Sequence, residues 1–188
     1  MRPTALPKRV RDFVRGRWVA KQLLADRFPE LAGFAVLPSD GGVPEAYDDG
    51  LRPLPVSVSI SHSDEYAAAA LVDSPGRVGI DVEGWIQAPD MIAGDYFTQC
   101  EQAWCAGEQR RVTGVWSLKE ALLKAVGEGL RWPLTAVEVR RWEDAVGWCE
   151  ARVNCGLRGW VRFEAGGAVA VAVSGQGCRQ PGWRMVTP

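Results

Sequence analysis

Asp81 and Glu83 stand two positions apart in the apolar run "VGIDVEGW", residues 78–85. Side chains alternate along a strand, so both carboxylates share one face while Ile80 and Val82 take the other. Neighbouring anions repel, and something cationic must offset them. A candidate partner is "VWSLKEALLKAVGEG", residues 115–129, where helical spacing lines up Trp116, Glu120 and Lys124. Leu118, Ala121, Leu122 and Ala125 make a separate apolar face on the same helix. Together Asp81, Glu83 and Glu120 form an oxygen donor set suited to a hard divalent ion. Magnesium characteristically takes one or two carboxylates together with substrate phosphate and water. The chain has a single histidine, His62, so a two-histidine metal site is excluded and magnesium or manganese is favoured over zinc or copper.

Each feature alone has a plainer reading. A Glu120–Lys124 pair on a helix surface contributes only about 0.2–0.5 kcal/mol. Two acids on an exposed strand face need carry no function, and His62 at a strand end is by itself more often a structural hydrogen-bonding group. Arg17 and Lys21 sit on a helix whose polar side is basic throughout, which is how a solvated face looks. The tryptophans, among them Trp142, Trp148, Trp160 and Trp183, are most simply core and rim packing.

The elements that must hold these residues follow from periodicity. Residues 8–28 predict an amphipathic helix, with Val10, Phe13, Val14, Ala20, Leu23 and Leu24 as its apolar side and Gly16 weakening its middle. Residues 38–55 are rich in Gly, Pro and Asp without periodicity and predict a loop. "VSVSISHS" alternates Val56, Val58 and Ile60 with Ser57, Ser59 and Ser61, predicting a half-buried strand ending at His62. "YAAAALV" and "RVGIDVE" flank the turn-rich "DSPG" and predict a hairpin. "TQCE", residues 98–101, is a capping box that starts a helix. A second helix is predicted from about Thr113 to Val126, stopping in the glycines of "GEGL". "LTAVEVRRW", "WCEARVN", "GWVRFEA" and "AVAVAVS" then read as strands. The pattern predicts an α+β fold of two similar halves, residues 1–76 and 77–188, each with a helix packed on an antiparallel sheet.

Composition narrows the function classes. The 188 residues are 47% hydrophobic and 24% charged, ordinary for a globular chain, and the net charge is −1. A broad polyanion-binding surface, and with it nucleic acid as a partner, is not expected. No apolar run approaches the roughly 20 residues of a membrane span, and the N-terminus lacks the apolar core of a signal peptide. Five cysteines without a CxxC pair argue against a disulfide framework or a structural zinc site. A reduced, cytoplasmic setting is the expectation.

"SISHS" (59–63), "VGIDVE" (78–83) and "WSLKEALLKAVGEGL" (116–130) together resemble the three signature blocks of the 4′-phosphopantetheinyl transferases, in that family's order. "FVRGRWVAKQLL" (13–24) is similar to the helix that precedes them. The match resembles the single-chain, surfactin- and enterobactin-type branch, covers roughly residues 8–140, and implies a monomeric pseudo-dimer. "DGLRPLP" occupies the place of the family's G-x-P turn, with Arg52-Pro53 standing in and the glycine displaced to Gly50.

The resemblance implies transfer of the phosphopantetheine arm of coenzyme A to a serine of an acyl or peptidyl carrier protein, with release of 3′,5′-ADP. Carriers of fatty-acid, polyketide and non-ribosomal peptide assembly all fit. It also implies residue roles. Asp81, Glu83 and Glu120 would hold magnesium, and Glu120 would take the serine proton. His62, helped by Ser61, would contact the 3′-phosphate, and Arg17 and Lys21 would add positive charge around the nucleotide. Lys119 and Lys124 would face the diphosphate, Trp116 would pack beside the site, and Trp85 and Ile86 would meet the carrier. A magnesium-dependent diphosphate hydrolase acting on coenzyme A-like nucleotides uses the same carboxylates with water as nucleophile. A non-catalytic carrier-binding module is the other alternative, and it has no need of the acids.

Overall fold

The computed structural model describes residues 8–64, 66–127, 132–142, 147–153, 156–174 and 182–186. Helix α1 (Lys8–Arg27) leads into the hairpin β1 (Phe34–Pro38) and β2 (Pro44–Asp48). Strands β3 (Val56–His62), β4 (Ala67–Asp73) and β5 (Arg77–Gly84) follow, then helices α2 (Pro89–Tyr96), α3 (Gln99–Cys105) and α4 (Gln109–Val126). Strands β6 (Val139–Trp142), β7 (Trp148–Val153), β8 (Arg158–Glu164), β9 (Gly167–Ser174) and β10 (Gly182–Val186) complete the chain. This is a mixed α/β fold of helices on antiparallel sheets. No described helix is long and apolar enough to cross a membrane.

The larger sheets run β10-β4-β3 and β5-β9-β8-β7-β6, all neighbours antiparallel. Alternation along the strands gives each sheet two apolar faces. Val19, Ala20 and Leu24 of α1 cover Val58, Ala67 and Ala69 on one side of the first sheet. Ala68 and Ala70 on its other side meet Val78, Ile80, Val82, Val169 and Val171 of the second. Leu118, Ala121 and Leu122 of α4 close the far side of the second sheet against Ala168, Ala170 and Ala172. The layers are therefore helix, sheet, sheet, helix, with β5 in the middle.

Several sequence expectations are corrected here. The predicted β4–β5 hairpin does not form: β4 pairs with β3 and β10, while β5 pairs with β9. The turn at Ser74–Gly76 carries the chain from one sheet to the other. Residues 38–55 contain β2, whose "PEAYD" lacks an alternating apolar pattern because only a two-stranded ribbon uses it. Residues 89–96, given no element from sequence, form α2, and "LTAVEVRRW" opens with a 3-10 turn, Leu134–Ala136, before β6. Residues 182–186, given no element from sequence, form β10, which adds to the sheet of β3 and β4.

The buried side of α1 is also rotated from expectation. Asp12, Gly16, Val19, Ala20, Leu23 and Leu24 are buried, whereas Val10, Phe13 and Val14 are 43–54% exposed. Gly16 explains the rotation. A Cβ there would lie 2.5 Å from Ile60 Cγ2, so the helix seats its glycine directly on β3.

Candidate active site

β5 carries Asp81 and Glu83 on the side facing α4, as alternation requires. The approach of α4 depends on Gly79, where a Cβ would stand 1.8 Å from the Ala121 carbonyl oxygen. That close seating lets Lys124 reach across. Its Nζ donates to Asp81 Oδ1 at 2.8 Å, to the Ile80 carbonyl at 3.0 Å and to Ser61 Oγ at 3.2 Å. Ser61 Oγ in turn donates to Asp81 Oδ1 at 2.9 Å. The α4 helix ends one turn later, at Gly127 with a left-handed φ of 81°.

Asp81 is 5% exposed, yet its other oxygen, Oδ2, is buried with no hydrogen-bond partner among the described residues. A buried carboxylate oxygen left bare is costly. Burial, and next the Asp81 charge, push the Glu83 carboxyl up to about 7; Glu120 adds to this and Lys124 opposes it. Burial likewise raises Glu120, against the pull of Lys124 and with the push of Asp81. One lysine does not neutralise the three acids.

This donor set fits a hard divalent cation, although no three His, Cys, Asp or Glu side chains among the described residues converge closely enough to enclose one alone. Asp81 and Glu83 supply two carboxylates, and the remaining positions of a magnesium shell are ordinarily filled by substrate oxygens and water.

Glu83 opens onto a cleft of about 910 Å³ that is also lined by His62, Asp64, Trp85, Ile86 and Trp116. Trp116 is held there edge-on to Tyr96, with ring centroids 5.4 Å apart. A second pocket of about 330 Å³ is lined by Phe13, Arg17, Lys124 and Gly127. Asp12 and His62 line both, so they form the ridge between the two spaces. Arg17 is kept in place by its Nε bond to the Val36 carbonyl, 3.2 Å, and by stacking over Phe13, 3.5 Å from the ring centroid. Burial lowers its guanidinium pKa.

The structure thus brings Glu83, His62, Lys124 and Arg17 to two adjoining pockets that share His62, with Asp81 buried against Lys124 and Glu120 in the electrostatic field of the acids. Three expected residues are placed differently. Lys119 is fully buried on another side of α4, paired with Glu101 at 2.8 Å and donating to the carbonyls of Leu134 and Val137. Successive helix residues are about 100° apart, so Lys119 and Glu120 cannot share a face. Lys21 is exposed and lines neither pocket. Ser61 points inward to Asp81 while His62, next on the strand, is exposed on the cleft side, which alternation demands. Arg52 is engaged with Asp48 (Nε–Oδ2 2.7 Å), and Pro53 lines a third space beside Lys124 and Gly127. Sequence reasoning missed Asp12, whose burial beneath the basic side of α1 has no periodic signal.

A family model described as the 4′-phosphopantetheinyl transferase superfamily matches residues 77–172, and one described as the 4′-phosphopantetheinyl transferase N-terminal domain matches residues 3–72. The chain belongs to the 4′-phosphopantetheinyl transferase superfamily. No curated protein matches the chain. The gap between the two matches falls on the Ser74–Gly76 turn where the chain changes sheet. A 4′-phosphopantetheinyl transferase moves a phosphate ester, so its substrate is anionic.

Proposed function

We propose that this transferase moves the 4′-phosphopantetheine of coenzyme A onto a serine of an acyl or peptidyl carrier protein, with magnesium and with release of 3′,5′-ADP. The observation that carries this reading is Asp81: buried, one oxygen on Lys124 and the other without a partner among the described residues, beside a Glu83 carboxyl raised to about 7. Asp81 and Glu83, assisted by Glu120, would hold the ion. Once bound, it supplies charge stabilisation to the non-bridging oxygens of the diphosphate.

The chain's own residues divide the remaining work. The serine oxygen forms a bond to the phosphorus bearing pantetheine as that phosphorus loses its bridging oxygen. Glu120 accepts the serine proton, directly or through a water, so its positioning matters more than its basicity. Lys124 offsets charge on the departing 3′,5′-ADP oxygen. His62 and Arg17, on the ridge and in the second pocket, would bind the remote 3′-phosphate. Trp85, Ile86 and Trp116 give the main cleft an apolar wall suited to the pantetheine arm and an incoming carrier helix. A panel of apo-carriers incubated with coenzyme A and magnesium tests this. Nucleotide chromatography should show 3′,5′-ADP appearing only with an accepted carrier; its release without any carrier would contradict transfer.

A further inference from the structure

β5 is the edge strand of its sheet, and the outward backbone groups of an edge strand need partners. On β5 they are not met by another strand among the described residues. The amides of Val78, Ile80 and Val82 donate instead to the hydroxyls of Ser57, Ser59 and Ser61, at 3.3, 3.1 and 3.3 Å. The three serines lie at alternate positions of β3 and face the second sheet, and the acceptors advance in step with the donors. A one-residue slip of either strand would bring apolar residues to those amides. The comb therefore fixes the register of the two sheets by side chains.

Ser61 is the tooth of the comb at the active site. Its Oγ accepts from the Val82 amide and from Lys124, and donates to Asp81 Oδ1. With three partners its hydrogen-bonding capacity is used, and it is 7% exposed. The geometry points to Ser61 as a positioning residue for the transfer, holding Asp81 and Lys124 in place, and not as a contact of the coenzyme A 3′-phosphate. This rests on the transferase reading above. Freed from Ser61, the Asp81 carboxylate and the Lys124 ammonium can rotate away from the reacting diphosphate, which costs turnover and leaves the remote phosphate contacts intact.

The test compares Ser61→Ala, Ser61→Thr and Ser57→Ala. Ser57→Ala removes a comb bond of the same 3.3 Å length away from Asp81. Ser61→Ala should lower kcat about 10- to 100-fold, the loss expected for a hydrogen bond to charged groups, with KM for coenzyme A within about twofold. Its preference for coenzyme A over 3′-dephospho-coenzyme A should be unchanged. Ser61→Thr, which keeps the hydroxyl, should recover most of the turnover, and Ser57→Ala should keep kcat while losing some thermal stability. Amide hydrogen exchange gives a readout independent of catalysis: Val82 should exchange faster in Ser61→Ala, and Val78 in Ser57→Ala. A rise in KM with loss of the 3′-phosphate preference would overturn the proposal, as would equal kcat losses in Ser57→Ala and Ser61→Ala. Unchanged Val82 exchange would overturn it even if the wild type transfers nothing, an outcome that would separately reject the transferase reading.

Discussion

His62 and Glu120 should fail differently when changed. His62 stands on the ridge and lines the second pocket with Arg17, so its loss should weaken ground-state binding. His62→Ala should raise KM for coenzyme A about 10- to 150-fold, and 3′-dephospho-coenzyme A should be indifferent to it. Glu120→Gln should instead reduce kcat. Equal harm to both nucleotides in His62→Ala would assign the histidine a structural role. Glu83 makes a pH prediction whose sign follows from its raised carboxyl. A carboxyl lifted from 4.5 to about 7 by folding gives stability that is full below about 4.5 and is lost as pH rises through 7. In chelator, the wild type should thus lose about 1–2 kcal/mol relative to Glu83→Gln between pH 5 and 8, with solvent screening allowed for. Magnesium should restore stability more at pH 8 than at pH 6. Calorimetric Tm values that run parallel for the two proteins would contradict the assignment.

At the scale of elements, what sequence reveals depends on whether the signal is local. The Thr98–Glu101 capping box is complete within four residues, and α3 begins where it says. The Asp81–Glu83 face follows from alternation alone. Lys119 was misread because helical spacing shows which residues share a face, not what lies opposite. Its partner Glu101 lies on α3, and the same carboxylate also accepts from the Thr98 and Val139 amides. Breaking this buried pair leaves an uncompensated charge, so Lys119→Met should cost about 3–5 kcal/mol of stability while kcat per folded molecule persists. Lost turnover at full stability would return Lys119 to the diphosphate. Gly79 makes the matching prediction for α4. Gly79→Ala cannot be accommodated against Ala121 backbone, so α4 must shift, and with it Lys124. Chemical denaturation should show a loss of at least about 3 kcal/mol, larger than the 1–3 kcal/mol of ordinary overpacking, because backbone cannot rotate aside. A mild effect would mean that α4 and β5 are not seated as closely as described.

For the whole molecule, the acidic strand matters because it lies between two sheets that each face a helix. The alternation of Ser57, Ser59 and Ser61 was legible, but its partner was not: nothing local says that β5 returns beside β3 instead of pairing with β4. The swap of β10 onto β4 is equally nonlocal. The central claim is that this assembly presents Asp81 and Glu83 to a divalent ion and the diphosphate of coenzyme A, so that a carrier serine receives the arm. Intact-mass spectrometry of an accepted apo-carrier, incubated with coenzyme A and either wild-type protein or Asp81→Ala, tests it most directly. The wild type should add one phosphopantetheine to the carrier only when magnesium is present, and Asp81→Ala should add none while remaining folded. A carrier of unchanged mass while coenzyme A is consumed, or transfer by Asp81→Ala within twofold of wild type, would contradict it.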